Sequence, residues 1–225
     1  MMPHQMKKIA LLLIMASLAQ AVFAIDFSAG LGETTGYVSS TQTISGTGFS
    51  GTFAASGVPL GVVAFFDATY AQASVGWQMV AGPHLNTSQT FLGVTNTTSV
   101  DLTAAVGYLS FALYGRYPFK LGSVTISPLL GVEYDLNLVD ADSGVDLRAG
   151  MTSQQLADLD ELWIKAGVSA DFLLSPRFFV RPALMIGYKF LSQGESNSIS
   201  TAPSGSTMSI VNLSAELSVL FGYRI

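Results

Sequence analysis

The sequence predicts an all-β chain closed on itself as an antiparallel, up-and-down transmembrane β-barrel of about eight strands. Three observations lead there. The chain is apolar, 49 % hydrophobic with a mean hydropathy of +0.46 and only 11 % charged residues, yet past Ala24 no apolar run is long enough for a spanning helix. Segment after segment instead alternates apolar with small or polar residues, the period of a strand whose faces meet different surroundings. Finally, lipid leaves no backbone group a water partner, so a chain that spans it without helices must close its strand edges into a ring.

The N-terminus reads as an export signal. Lys7 and Lys8 precede an apolar run from Ile9 to Leu18, and Val22-Phe23-Ala24 supplies small residues for cleavage after Ala24. Cleavage after Ala21 and a start at Met6 also fit. The division expected is a cleaved signal over 1–24 and the barrel over 25–225. The chain has no cysteine, which excludes disulfides and a lipid-modified N-terminal cysteine. Removing Lys7 and Lys8 from the 10 basic residues leaves eight against 15 acidic ones, a net charge of −7 with no electrostatic case for nucleic acid.

The strands are legible in order. In the first, Ile25, Phe27, Ala29 and Leu31 alternate with Asp26, Ser28, Gly30 and Gly32. The second, near Leu60 to Phe66, is apolar on both faces. In the third, Ala71, Ala73, Val75, Trp77 and Met79 alternate with Gln72, Ser74, Gly76 and Gln78. The fourth, from Val100, loses its parity around Leu109 to Phe111, which reads as a β-bulge. The fifth sets Val124 through Leu138 against Ser123 through Asn137, the longest unbroken alternation. The sixth sets Leu162, Ile164, Ala166, Val168, Ala170 and Phe172 against Trp163, Lys165, Gly167, Ser169 and Asp171. The seventh sets Val180 through Phe190 against Arg181 through Lys189, and the last sets Val211 through Ile225 against Asn212 through Arg224.

Short turns are expected near Asp67, at Pro118 to Gly122 and at Ser175 to Arg177, with long polar loops at 38–57, 82–98, 139–161 and 191–207. Short periplasmic turns and long extracellular loops orient a barrel with both termini in the periplasm. Within the third loop, Thr152 to Asp158 is expected to form a short helix capped by Thr or Ser. Phe27, Tyr117, Phe119, Phe172, Phe178, Phe221 and Tyr223 fall at the turn ends and Tyr37, Trp77, Tyr134 and Tyr188 nearer the loop ends, giving two aromatic girdles. A soluble β-sandwich or lipocalin-like barrel would also alternate, but with its apolar face inward and its charge outside.

Tyr117-Pro118-Phe119-Lys120-Leu121-Gly122, Ile126-Ser127-Pro128-Leu129-Leu130-Gly131 and the closing Phe221-Gly222-Tyr223-Arg224-Ile225, together with the eight-segment pattern, resemble small outer-membrane barrels of the OmpW/OprG type, including spirochaete versions. The closing segment resembles an outer-membrane assembly signal, with Ile225 where Phe is expected. The resemblance implies residence in the bacterial cell outer membrane, transit with periplasmic chaperones and the barrel-insertion machinery, and passage of small, often hydrophobic, molecules through a narrow apolar lumen with an exit through the wall. The alternative is a non-conducting surface barrel whose loops mediate adhesion or contact host ligands.

The inward face supplies the candidate residues. Asp26, Glu133, Lys165, Asp171, Arg181, Lys189, Glu216 and Arg224 are its charges; Val63, Phe65, Leu129, Trp163 and Met185 are apolar positions that either line a slender path or pack a plug. Asp171 and Arg181 flank one tight turn and are expected to pair, as are Asp26 and Arg224 across the closure. No catalytic, cofactor or metal residues are expected. The mature chain's one histidine, His84, would need Ser or Asp beside it to be part of a nucleophile-base pair. Asp140 to Asp146 has its glycine one position early for an EF-hand and lacks the closing glutamate.

Overall fold

The computed structural model describes residues 26–101, 105–140, 145–146, 149–152, 155, 159–190 and 205–225. Residues 1–24, read above as an export signal, lie outside them. The strands are β1 (Phe27–Gly46), β2 (Phe49–Ala68), β3 (Ala71–Phe91), β4 (Val94–Asp101), β5 (Ala105–Arg116), β6 (Phe119–Leu121), β7 (Val124–Asp140), β8 (Val145–Asp146), β9 (Glu161–Leu173), β10 (Phe178–Lys189) and β11 (Ser206–Arg224). Eight of them form a ring in the order β1, β2, β3, β5, β7, β9, β10, β11, and every pairing is antiparallel. β11 returns onto β1 from Ser28↔Arg224 to Gly46↔Ser206, which closes the barrel. The remaining three extend it: β4 pairs with the far end of β3, and β6 and β8 pair with the two ends of β7.

Burial follows the period of two, with the usual polarity inverted. Leu31 is 68 % exposed and Phe221 61 %, while Lys165 and Arg181 are each 1 % exposed. A soluble fold buries its large aliphatic residues and solvates its charges; this one does the reverse, so its outer face requires an apolar solvent. At the end carrying the short turns, Phe27 stacks on Phe66 with ring centroids 5.7 Å apart, Tyr117 meets Phe119 at 4.9 Å and Phe178 meets Tyr223 at 5.1 Å. Tyr37, Trp77, Tyr134 and Tyr188 lie exposed on the outer face further along the same strands. Glu33 is the exception on this belt: it points outward from β1, with Val62 and Val219 as its cross-strand partners.

Three expectations need correction. The segments 38–57 and 82–98 are not loops but the far ends of long hairpins, closed by two-residue turns at Thr47-Gly48 and Leu92-Gly93. Their Ser and Thr content read as loop, but a solvated ribbon accepts polar residues on both faces and β-branched Thr favours it. Second, β5 keeps its parity, with Tyr108, Ser110, Ala112, Tyr114 and Arg116 inward and Leu109, Phe111 and Leu113 outward. The irregularity is one step earlier, where Gly107 faces Val139 and Tyr108 faces Asn137, leaving Leu138 as the extra residue. Third, Arg224 stands opposite Ser28, not Asp26, which precedes β1 and is exposed. The short turn expected near Asp67 is Thr69-Tyr70, and Asp67 itself is the last inward position of β2 and is buried. Of the loops 139–161 and 191–207 only part lies within the described residues. In the former, Thr152 and Gln155 cap one another, Gln155 N–H donating to Thr152 Oγ1 at 3.3 Å and Thr152 N–H to Gln155 Oε1 at 2.9 Å.

Candidate functional site in the barrel lumen

The lumen is filled from the short-turn end upward. Phe65, Phe179 and Leu220 pack together there with Val63 against them. Room for the rings comes from glycine: a Cβ on Gly222 would stand 2.1 Å from Phe179 Cζ, and one on Gly30 would stand 2.5 Å from Phe65 Cε1. Against these rings lies the Arg181 guanidinium, 4.7 Å from the Phe65 centroid and 4.9 Å from that of Phe179.

Arg181 belongs to a buried cluster of two arginines and two aspartates. It grips Asp171 through Nε and through Nη2 at 3.0 Å, donates to Asp67 at 2.7 Å and reaches Gln72 Oε1 at 3.2 Å. Arg116 donates to Asp67 at 2.6 Å and to Ser127 Oγ at 3.0 Å, and lies 3.4 Å from Asp171; Ser28 Oγ donates to Asp67 at 2.8 Å. The formal charges cancel. Seven of the eight staves contribute, all but β11, so the cluster ties the ring across its diameter.

Above it Ala112, Tyr114, Leu129 and Met185 form an apolar layer. A second charged layer follows, in which Lys165 Nζ donates to Glu133 at 2.6 Å and to Glu216, and Tyr114 O–H donates to Glu133 at 2.7 Å. Over this floor, toward the hairpin end, opens a cavity of about 250 Å³. Tyr108, Asp135, Glu161, Trp163, Lys189 and Glu216 are among the residues lining it. Trp163 Nε1–H donates to Glu161 at 3.2 Å and Lys189 Nζ donates to Glu161 at 3.3 Å.

The sequence-level candidates therefore divide. Glu133, Lys165 and Glu216 meet in one layer and Asp171 and Arg181 in the other; Trp163 and Lys189 line the cavity; Val63, Phe65, Leu129 and Met185 pack the plug. Asp26 and Arg224 are not brought together: Asp26 N–H donates to Thr69 Oγ1 at 2.8 Å, and the Arg224 guanidinium lies 6.0 Å from the Phe179 ring centroid. Sequence reasoning left Asp67, Arg116, Tyr108 and Phe179 out of the site. Counting by two from Val63 and Phe65 reaches Asp67, and the same count along β5 reaches Arg116.

On the hairpin of β3 and β4, register pairs His84 with Asp101 and Asn86 with Ser99. This brings His84 Nδ1 to 2.6 Å from Asp101 Oδ1 and Ser99 Oγ to 3.0 Å from His84 Nε2. The contacts follow the order of a nucleophile, base and acid. The surroundings do not support that chemistry, for the His84 and Asp101 side chains are 48 % and 85 % exposed and every residue of β4 is exposed. Water therefore competes for each bond. Among the described residues no three His, Cys, Asp or Glu side chains gather as a metal site, and residues 141–144 of the acidic loop lie outside them.

No family model and no curated protein matches the chain. Among solved structures it is similar to the outer membrane protein OprG from Pseudomonas aeruginosa, at 15 % identity and a TM-score of 0.47, over 90 % of this chain and 96 % of that one. It is also similar to the outer membrane protease OmpT from Escherichia coli, at 8 % identity and a TM-score of 0.35, over 89 % and 97 %. A third similarity is to the translocator domain of the autotransporter NalP from Neisseria meningitidis, at 12 % identity and a TM-score of 0.24, over 97 % and 98 %.

Proposed function

We propose that the chain is an integral outer-membrane barrel whose lumen is closed, and that it works at the cell surface as a binding protein. The exposed apolar belt with aromatic residues at both ends supports the membrane. The hairpin end is then the extracellular one, because both described termini and the short turns share the other end.

The observation that carries the closed reading is the stack of two buried charge layers with apolar side chains below and between them. An eight-stranded ring is about wide enough for its side chains to fill it, and here they do. Of the two sequence-level readings, the geometry thus supports the non-conducting surface barrel over the narrow channel for hydrophobic solutes. Passage along the axis would require Asp67, Arg116, Asp171 and Arg181 to separate while buried, at a cost of several kcal/mol for each ion pair broken. The function is read as binding because the Ser99, His84 and Asp101 contacts lie bare on a ribbon.

Planar-bilayer recording tests this. The folded protein should show heat-modifiable migration in SDS gels and no sustained unitary conductance. Steady channel openings from the same preparation would restore the channel reading.

A further inference from the structure

We propose that the cavity above the Lys165 layer is a binding site for a small primary ammonium compound with an apolar body. The proposal deepens the closed-barrel reading, since the charged floor is what makes a cup of the lumen.

Size comes first. About 250 Å³ lies below the roughly 300–1,000 Å³ of sites for drug-sized molecules. The occupant is small. Charge comes next: Glu133, Asp135, Glu161 and Glu216 surround the cup and its floor with Lys165 and Lys189, four acids against two bases. Among the described residues the acids around this recess outnumber the bases by two, and its protein walls weaken solvent screening.

The independent observation is Asp135. This side chain lines the cavity, is 5 % exposed, and its Oδ1 has no hydrogen-bond partner among the described residues. A buried carboxylate oxygen without a donor is costly. An ammonium group supplies donors and a positive charge, whereas an alcohol supplies one donor and no charge, and a carboxylate adds repulsion.

Part of the remaining wall is apolar: Val38, Val80, Val106 and the Trp163 ring line it beside serines and asparagines, and the Trp163 ring is tethered through its N–H to Glu161. That surface suits a short hydrocarbon or aryl body.

The experiment uses the folded full chain in detergent with Trp77→Phe, which leaves Trp163 as the one remaining tryptophan of the two. Phenethylammonium, 2-phenylethanol and 3-phenylpropionate, three probes of similar shape, are titrated while Trp163 fluorescence is followed. A saturable change with the ammonium, at least tenfold weaker with the alcohol and absent with the carboxylate, is the expected result. Asp135→Asn, nearly isosteric, should weaken the ammonium at least tenfold while keeping heat-modifiable migration. No saturable response to the ammonium, or equal responses to ammonium and alcohol, overturns the proposal; the comparison of probes on the Asp135-containing protein stands whether or not the variant folds. A barrel that conducts yet selects the ammonium would overturn closure and keep the cup, and a silent barrel without selectivity would do the opposite.

Discussion

The short-turn half and the hairpin half of the barrel are built on one continuous ladder, yet they hold together differently. In the former, alternate residues of each stave are buried and meet across the ring, Arg181 on β10 reaching Gln72 on β3 and Asp67 on β2. In the latter, every residue of β1 from Val38 to Ile44 is half-buried whichever way it points, and β4 is exposed throughout. Backbone pairing continues through both. The difference shows that the ladder suffices to keep a strand extended, while the register and rigidity of the closed half come from what its inward side chains do.

The test with the largest expected effect removes the residue on which the closed half converges. Asp67→Ala leaves Arg116 and Arg181 buried with one carboxylate, Asp171, between them. Breaking a buried ion pair by removing one partner costs about 3–5 kcal/mol. Urea unfolding in lipid vesicles should show a loss of that size. A loss under about 1 kcal/mol, the value of an exposed pair, would mean that water reaches this layer.

Next in size is the coupling within the cluster. Asp171→Ala and Arg181→Ala should each destabilise, and the double replacement should cost less than their sum by about 1–3 kcal/mol, as for residues in one network. Strict additivity would erase the distinction between the halves, because it would make these buried bonds energetically equivalent to solvated ones.

How much of this was legible depends on how local each contact is. Asp171 and Arg181 are ten residues apart across one short turn, so strand parity alone brought them together. Arg116 and Asp67 are 49 apart and Gln72 and Arg181 109 apart; those contacts depend on the tilt and stagger of the whole ring, which no single segment encodes. Closure that paired the termini end to end would set Asp26 against Arg224, whereas the register leaves Arg224 against Ser28. The polar ribbons at 38–57 and 82–98 read as loops in the sequence because alternation disappears once both faces are wet. The same strands carry on past a register shift between Ser56 and Val58 until Gly48 and Gly93 allow the turn, at φ of 77° and 81°.

A smaller effect is expected on the outer belt. Glu33 holds a carboxylate on the apolar face between Val62 and Val219. Acidic side chains on the lipid face cost less than the roughly 2–4 kcal/mol of Arg or Lys at the midplane. Glu33→Leu should therefore stabilise the barrel by roughly 1–2 kcal/mol in the same unfolding assay. No change or a loss would place Glu33 at the headgroup level and move the membrane boundary toward the short turns.

The smallest effect belongs to the hairpin half. Leu92 and Gly93 form the two-residue turn between Phe91 and Val94, and both have positive φ, 48° and 81°, the combination of a type I′ turn. Gly93 adopts that conformation freely. Leu92 does not, because its Cβ crowds the following carbonyl, which costs about 1–2 kcal/mol for an ordinary L-residue. Its side chain is exposed, so little burial offsets the strain, while its N–H donates to Gly48 O at 2.9 Å, joining the tips of the two hairpins. Asn tolerates the left-handed region and keeps that N–H. Leu92→Asn should slow hydrogen exchange at the amides of residues 89–94 by about three- to fivefold, equivalent to roughly 0.6–1 kcal/mol of local stability. It should leave the urea midpoint unchanged, because the closed half sets global unfolding. A midpoint that rose with the local protection would show the two halves unfolding as one unit, and the contrast between them would then describe packing without describing cooperativity.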